Sequence, residues 1–362
     1  MFCNRFTRAG KLWPVSEGFA FLDERVLPAG ADQDSRSPSR RRPAWETTKG
    51  KSVILCAGLT PAWQQVAVFD AFRHGEVNRA REVHWFASGK VINAAIAACR
   101  LGAKALAVAP GGGPSFPLMR HDLDQLGLDV RWVPVEAPTR VCTTIIDRGA
   151  HKITELVENG RPLAPEELDA FRRAYAEEAA RAEVAVLIGS LPLGTPPSCY
   201  RDLLERTPCP AVLDFRGEGL LGCLDLQPYV VKPNREELAQ TFGRPLSTDE
   251  GLWEAMRSLH RRGAQWVVVT QGGGPVWITT ATSVWRAYPI PVAPQDVVNP
   301  IGCGDALAGA LACAIAEGRD PLEGVRLGLA AAHANLRQLF PCRFNADGVR
   351  HQAQSVRLEQ VA

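Results

Sequence analysis

A single stretch near the C-terminal end, from Val297 to Glu317, most constrains what this chain can fold into. It reads V-V-N-P-I-G-C-G-D-A-L-A-G-A-L-A-C-A-I-A-E, a β-branched pair followed by a proline-glycine turn and a run of small apolar residues. The pair Val297 and Val298 predicts the end of a strand, and residues 306–316 predict a helix that is apolar nearly all round and therefore buried. Such a strand, turn and helix place backbone N–H groups at a helix N-terminus, which suits an anion.

The acid at the start of this helix, Asp305, has two interpretations. It is either an ordinary first-turn carboxylate that caps the helix, or a general base that takes a proton from a hydroxyl group. In the second case the N–H groups of Gly302, Cys303 and Gly304 would stabilise the developing phosphoryl charge. The pattern G-x-G-D alone favours the cap, so other parts of the chain must decide.

Length and composition exclude several classes of protein. The chain has 362 residues, enough for one large α/β domain or two smaller ones, and a formal net charge of +2 that predicts no nucleic-acid partner. Hydrophobic residues make up 46% without a run of membrane length, so no membrane partner is predicted. The ten cysteines show no C-x-x-C or Cys/His metal spacing, which favours reduced thiols and a cytoplasmic protein.

The chain divides unevenly. Residues 1–50 contain the polar run S-R-S-P-S-R-R-R-P and are predicted to be a disordered extension. Residues 51–345 carry the patterns of a folded domain, and residues 346–362 are expected to be a C-terminal tail.

Strand patterns alternate with helical patterns through this domain, which predicts an α/β fold with a parallel sheet and right-handed crossovers. Two further strand pairs, at roughly 62–88 and 139–157, interrupt that order. They predict a small accessory sheet laid over the site as a lid.

Two other motifs point to anions or metal. Ser88-Gly89-Lys90 precedes a helix that contains Asn93, and a basic residue in a glycine turn at a helix start suits an anion. After a strand and Pro233, Asn234 and Glu237 stand one helical turn apart, either as a capping box or as residues that influence magnesium. The Walker pattern is absent from the sequence, so no P-loop ATP site is indicated.

In this order, the motifs G-x-V-N-R, G-K-x-x-N-A, G-S-L-P-x-G, K-P-N-R-E-E and N-P-I-G-C-G-D-A-L-A-G resemble those of ribokinase-type (PfkB) carbohydrate kinases. They resemble most the branch that contains 1-phosphofructokinase and tagatose-6-phosphate kinase. The resemblance covers about residues 51–340 and implies a three-layer α/β/α ribokinase-like sheet with a small β-sheet lid. It also implies ATP-dependent phosphorylation of a hydroxyl group on a ketohexose phosphate such as tagatose 6-phosphate or fructose 1-phosphate.

The resemblance carries roles onto individual residues. The implied catalytic residues are Asp305, as the base, and Gly302, Cys303 and Gly304, as the anion hole. The implied substrate contacts are Gln64, Arg79, Gly89, Lys90, Asn93 and Arg140. The implied contacts of ATP and Mg²⁺ are Lys232, Asn234, Glu237, Thr270, Gly272 and Asn335, with Asn234 and Glu237 acting on the metal through water. Asn335 could equally be a solvent-facing polar residue.

The chain departs from the family pattern where the sugar is expected to bind. Gln64 stands in place of an aspartate, and Ser88 and Val91 replace two glycines. A kinase for an unphosphorylated sugar or nucleoside, or a sugar-phosphate-binding protein with weak catalysis, therefore remain alternatives. A homodimer through the lid would cover Trp85 and Phe86.

Overall fold

The computed structural model describes residues 53–361, and the prediction for residues 1–50 lies outside this range. The described chain forms two β-sheets flanked by helices. The strands are β1 Val53–Ala57, β2 Ala62–Phe69, β3 Glu82–Ser88, β4 Lys104–Gly111, β5 Asp129–Pro134, β6 Arg140–Asp147, β7 Lys152–Val157, β8 Val184–Ile188, β9 Ala211–Asp214, β10 Val230–Val231, β11 Trp266–Val269, β12 Val276–Thr279, β13 Val284–Ala287 and β14 Leu358–Gln360. The helices are α1 Lys90–Arg100, α2 Phe116–Leu126, α3 Pro165–Ala179, α4 Cys199–Leu204, α5 Glu218–Leu221, α6 Arg235–Phe242, α7 Asp249–Arg261, α8 Cys303–Ala316, α9 Pro321–Leu336 and α10 Val349–Ala353.

The large sheet has ten strands in the order β14-β13-β12-β11-β10-β9-β8-β1-β4-β5. Neighbours from β11 to β5 run parallel, whereas β12, β13 and β14 pair in antiparallel fashion. One face packs against α1, α2, α8, α9 and α10, and the other against α3 to α7. The central strands are rich in valine, isoleucine and leucine because both of their faces are buried. The predicted three-layer α/β/α architecture is therefore confirmed.

The small sheet has the order β3-β2-β6-β7, and it contains both strand pairs that the sequence predicted. Side chains alternate between its faces, so that Gln64, Phe86 and Cys142 share the inner face while Trp63, Trp85 and Leu156 share the outer one. These four strands together form the lid.

The apolar run after Asp305 forms α8, whose side chains are buried from Asp305 to Ala314 as predicted. It lies against α1 and α9, and the approach to α1 is close at Gly309. A Cβ atom there would stand 2.6 Å from the carbonyl oxygen of Ala94, so only glycine fits. This packing fixes the position of the helix N-terminus at the site.

Three expectations require correction. Val297 and Val298 do not end a strand; the N–H of Val298 instead donates to the carbonyl of Leu336 at the end of α9, 2.7 Å away. Residues 346–362 were expected to be a tail, but they form α10 and β14, because Val349 and Val356 are buried in the core and β14 pairs with β13. Strands β5, β12 and β13 were not predicted.

Among the residues described, no helix combines the length and apolar character needed to cross a membrane.

Candidate active site

A cleft of about 600 Å³ opens between the lid and the carboxyl ends of β1, β8 and β9. In parallel α/β sheets this edge is where ligands bind, since helix N-termini and loop residues converge there. The lid closes the cleft with residues from the inner faces of β2, β6 and β7. Of the predicted catalytic and substrate residues, those that line it are Gln64, Gly89, Lys90, Asn93, Arg140 and Asp305.

Asp305 is buried in the wall of this cleft, with 6% of its surface exposed. Its Oδ2 accepts a hydrogen bond from Nδ2 of Asn93 at 2.8 Å. Burial raises the pKa of the Asp305 carboxyl to about 6, although the positive charge of Lys90 and the bond from Asn93 oppose this shift. A carboxylate with such a pKa is ionised at neutral pH and remains basic enough to take a proton.

A row of four side chains with alternating charges lies beside Asp305. The sequence analysis identified only some of them as site residues. The Nζ atom of Lys90 stands 3.0 Å from Oε1 of Glu237 and 3.4 Å from Oδ1 of Asp214. The other oxygen of Asp214 stands 2.9 Å from Nζ of Lys232. Asp214, Lys232 and Glu237 are buried, and Lys90 is partly exposed in the cleft.

The charged side chains of this row stabilise one another's ionised forms. Burial alone would raise the pKa of Asp214, but Lys232 and Lys90 outweigh it and hold that pKa below its usual value. Burial would likewise lower the pKa of Lys90, but the carboxylates around it raise that pKa instead. Lys90 and Asp214 are therefore both charged at neutral pH. Asp214 was missed as a site residue, although its place at the carboxyl end of a buried strand was a usable signal.

A second cleft of about 450 Å³ lies on the other side of the N-terminus of α8. Cys303 and Gly304 line this cleft, whereas Ile301 and Asp305 line the first one. The predicted nucleotide residues that line it are Asn234, Thr270 and Gly272. The first turn of α8 thus separates two clefts and faces both.

The turn before α8 is built for close approach of a ligand. Gly302 has a φ of +87°, and a Cβ atom there would stand 2.8 Å from Cβ of Pro341, so the position requires glycine. A Cβ atom at Gly304 would meet only Nζ of Lys232, 3.8 Å away. The N–H of Cys303 donates to the carbonyl of Pro300 at 3.3 Å, whereas helix geometry leaves the N–H groups of Gly302 and Gly304 without intrahelical acceptors, so these two amides can bind an anion.

Asn234 and Glu237 form the reciprocal capping box that was one of their two predicted roles. Oδ1 of Asn234 accepts from the N–H of Glu237 at 2.7 Å, and Oε2 of Glu237 accepts from the N–H of Asn234 at 3.0 Å. Because Oε1 of Glu237 faces Lys90, both carboxylate oxygens already have a partner. Within residues 53–361 no cluster of three or more His, Cys, Asp or Glu side chains is arranged to hold a metal ion.

Three predicted residues lie away from the clefts or differ from their expected setting. Arg79 is exposed and is not among the residues that line either cleft. Lys232 lines neither cleft but stands behind Gly304, paired with Asp214. Asn335 is neither solvent-facing nor in the nucleotide cleft: its Nδ2 donates to the carbonyl of Ile301 and its Oδ1 accepts from the N–H of Cys342.

Two lid residues that line the first cleft already form hydrogen bonds with other residues of the protein. Arg140 donates to three backbone carbonyls, those of Thr60, Pro61 and Glu158, at 2.9 to 3.4 Å. Nε2 of Gln64 donates to Oγ1 of Thr144 at 2.9 Å and to the carbonyl of Gln65 at 3.3 Å, so the side-chain carbonyl oxygen is the group of Gln64 that remains to accept a hydrogen bond. The sequence analysis did not identify Arg216, which joins Lys90 and Arg140 as a third cation in the wall of the first cleft.

The two clefts meeting at α8 fit the two substrates of a phosphotransferase, and the fold is that of a carbohydrate kinase of the ribokinase-like group. Residues 54–340 match the family described as pfkB family carbohydrate kinase. The chain therefore belongs to the pfkB family and is a sugar kinase, and carbohydrate kinases of this family use ATP.

Several solved structures have the same fold as this chain. A possible 1-phosphofructokinase from Thermotoga maritima shares 22% identity with a TM-score of 0.77, covering 86% of this chain and 100% of its own. Phosphofructokinase-2 from Escherichia coli, in complex with fructose-6-phosphate, shares 24% identity with a TM-score of 0.72, covering 84% and 98%. Ribokinase from Arabidopsis thaliana, complexed with ribose and ATP, shares 19% identity with a TM-score of 0.66, covering 84% and 99%.

Proposed function

We propose that this protein transfers the γ-phosphoryl group of ATP to a hydroxyl group of a ketohexose phosphate such as tagatose 6-phosphate or fructose 1-phosphate. The observation that carries the proposal is the position of the α8 N-terminus between the two clefts, with Asp305 on one side and Cys303 and Gly304 on the other. A sugar in the first cleft and ATP in the second would meet at this turn.

In the proposed reaction, Asp305 accepts the proton of the sugar hydroxyl as its oxygen attacks the γ-phosphorus and the bond to ADP breaks. The amides of Gly302 and Gly304 stabilise the charge on the transferring group, with the ammonium of Lys232 behind them. Catalysis of this kind depends mostly on positioning and on electrostatic stabilisation.

The residues present fit a hydrated Mg²⁺ that arrives with the phosphates of ATP rather than a metal held by a protein cage. Magnesium keeps several waters and needs few protein oxygens. Asn234 lines the second cleft and its capping partner Glu237 lines the first, and a carboxylate can accept further hydrogen bonds from metal-bound water besides those of its cap. When bound, Mg²⁺ would neutralise the charge of the phosphates.

A phosphate group on the acceptor is supported by the three cations in the wall of the first cleft, Lys90, Arg140 and Arg216. Guanidinium groups bind phosphate bidentately. The carbonyl oxygen of Gln64 would accept from a sugar hydroxyl, in place of the aspartate of the family pattern. The similarity to a phosphofructokinase solved with fructose-6-phosphate agrees with this choice.

An unphosphorylated sugar or nucleoside is the second candidate, and a specific observation favours it. Lys90 is held by two carboxylates, Arg140 donates to three carbonyls, and Arg79 lies outside the cleft. The basic residues that were expected to contact the substrate are thus either bound to other groups of the protein or outside the cleft.

ADP release from Mg-ATP, measured with a panel of phosphorylated and free ketoses, aldoses and nucleosides, separates these candidates. We expect the highest kcat/KM for one ketohexose phosphate, together with a loss of at least tenfold for its dephosphorylated form. Preference for a free sugar would overturn the choice of substrate and leave the kinase. ATP and sugar binding without ADP release across the panel would contradict the proposed reaction.

We also propose that the protein forms a homodimer through the outer face of the lid. Val83, Trp85 and Leu156 are 48%, 46% and 54% exposed on that face, an apolar surface that a second copy would cover. Phe86, which was expected to take part, is buried on the inner face. The nine described cysteines are free thiols, which agrees with a further proposal that the protein is cytoplasmic.

Trp85→Asp is expected to convert a dimer into a monomer, because it places a charge in the apolar contact. Sedimentation velocity at micromolar concentration measures the change. Leu118→Asp provides a matched control, since Leu118 is 55% exposed on α2 rather than on the lid. A wild-type protein that sediments as a monomer would contradict the proposal, as would a Trp85→Asp variant that remains dimeric.

A further inference from the structure

Three buried side chains form a continuous line of hydrogen bonds from the lid to Asp305. Oγ of Ser88, the last residue of β3, donates to Oδ1 of Asn93 on α1 at 3.0 Å. Nδ2 of Asn93 then donates to Oδ2 of Asp305 on α8 at 2.8 Å. The exposed fractions of the three residues are 2%, 3% and 6%, so water does not compete for these bonds.

The amide of Asn93 is held on both sides. An asparagine amide has a donor side and an acceptor side that are nearly equal in shape. Because the carboxylate of Asp305 can only accept, the N–H side of Asn93 faces it, and the hydroxyl of Ser88 donates to Oδ1 on the opposite side. The reverse orientation would place the carbonyl oxygen of Asn93 against an anionic oxygen of Asp305, which is repulsive. Glycine, the residue of the family pattern at this position, has no group to donate to Oδ1 of Asn93.

Ser88 itself is held at a fixed point. Both backbone groups of the preceding residue, Ala87, are bound by side chains: its N–H donates to Oδ2 of Asp122 at 2.8 Å, and its carbonyl accepts from Arg343 at 3.2 Å. Arg343 and Asp122 also pair with each other. The end of β3 is therefore anchored to α2 and to the C-terminal segment, which gives the Ser88 hydroxyl a defined position.

We propose that Ser88 is a positioning residue, which through Asn93 fixes the orientation of Asp305 for proton transfer and joins the lid to the base. This inference rests on the proposed role of Asp305. Other charged or titratable groups that act on Asp305 are Lys90 of α1, Asp214 at the end of β9, Lys232 after β10 and the thiols of Cys303 and Cys342. Ser88→Ala leaves all of these in place, so a change in the pH profile would report the lost hydroxyl.

The expected effect of Ser88→Ala follows from a weaker bond to the ionised base. Asn93 would lose the donor to its Oδ1 atom, be held less firmly against Asp305 and stabilise the carboxylate less, so the acid limb of the kcat profile should move up by about half to one pH unit. Turnover near pH 6 should then fall by a factor of about two to ten, with a smaller loss near pH 8. Ser88→Thr retains the hydroxyl and should retain most of the wild-type profile.

A double-mutant cycle on kcat with the full chain tests the inference. We expect Ser88→Ala to have little effect when Asn93 is already alanine, because Ser88 acts through Asn93. An exposed serine supplies the control, Ser355→Ala, which should match the wild type. Additive effects of the two substitutions, or an unchanged acid limb in both Ser88→Ala and Ser88→Cys, would overturn the inference.

Asp305→Asn, measured beside these variants, distinguishes a failure of the proposed base from a failure of the proposed role of Ser88. If Asp305→Asn keeps normal turnover, the proposed base is wrong and with it this role of Ser88. If Asp305→Asn is inactive while Ser88→Ala has the wild-type profile, only the role of Ser88 fails.

Discussion

Asp305→Asn is expected to lower turnover by a factor of roughly 10² to 10⁴, the range typical for loss of a general base. Asparagine has nearly the same shape and can keep a contact with Asn93, but it cannot accept the proton of the attacking hydroxyl. The amides at the start of α8 and both clefts would remain. Binding of ATP should therefore change little, and the loss should appear in kcat rather than in KM.

The same substitution is expected to stabilise the fold. The pKa of Asp305 is raised from 3.8 to about 6, so the ionised carboxylate costs stability at neutral pH, on the order of 1 to 3 kcal/mol. For an acid with a raised pKa, the favourable contribution belongs to the protonated form and is lost as the pH rises through about 6. Asparagine resembles that form, so Asp305→Asn should unfold at a higher temperature than the wild type at pH 8.

Steady-state ADP release and thermal unfolding of the same preparations test both expectations. Asp124→Asn is a suitable control, because Asp124 is exposed on α2 and should leave both quantities unchanged. An inactive variant that is also less stable than the wild type would indicate disrupted folding rather than a lost base. Near-normal turnover in a stable variant would reject Asp305 as the base.

The elements that the sequence predicted well are those whose pattern is local. The helix of residues 306–316 and the lid strand pairs at 62–88 and 139–157 are present as predicted, because a run of small apolar residues marks the helix and local alternation marks the strands. Strands β12 to β14 were missed because their identity depends on pairing across the sheet. Val297 and Val298 have strand propensity, yet contact with the end of α9 overrides it.

In the site, too, the features set by neighbouring residues could be predicted, and the contacts between distant residues could not. Glycine and aspartate at the start of α8 could be assigned from spacing, since a turn and a helix N-terminus are set by neighbouring residues. The pairing of Lys90 with Asp214 joins residues 124 positions apart, and no local pattern specifies such a contact. Asn335 illustrates the reverse case, because a polar residue on a helix could be predicted but its burial under the turn could not.

Asp214→Ala is expected to destabilise the fold by about 3 to 5 kcal/mol, the cost of removing one partner from a buried ion pair. The carboxylate is 1% exposed and lies between Lys232 at 2.9 Å and Lys90 at 3.4 Å. Without it, the buried ammonium of Lys232 would lose the ion pair that compensates its desolvation. Equilibrium unfolding in urea, followed by tryptophan fluorescence, measures the loss.

The chain offers a matched control in Asp225, whose carboxylate pairs with Arg201 at 2.6 Å but is 64% exposed. Asp225→Ala should destabilise the fold far less than Asp214→Ala, because water screens the pair. Adding Lys232→Met to Asp214→Ala should recover part of the lost stability, since the uncompensated charge is then removed. Equal losses for the buried and the exposed aspartate would contradict the assignment.

The pH dependence of stability gives an independent test of the Asp214 pair. Lys232 and Lys90 hold the pKa of Asp214 below its usual value, so its ionised form stabilises the native state. That contribution is present above the unfolded-state pKa of about 3.9 and is lost as the pH falls through the lower pKa of the folded protein. The gap in unfolding free energy between the wild type and Asp214→Ala should therefore be constant near neutral pH and should narrow below about pH 4. A gap that stays constant down to the acid-unfolding region would show that the carboxylate is not held ionised by the two lysines.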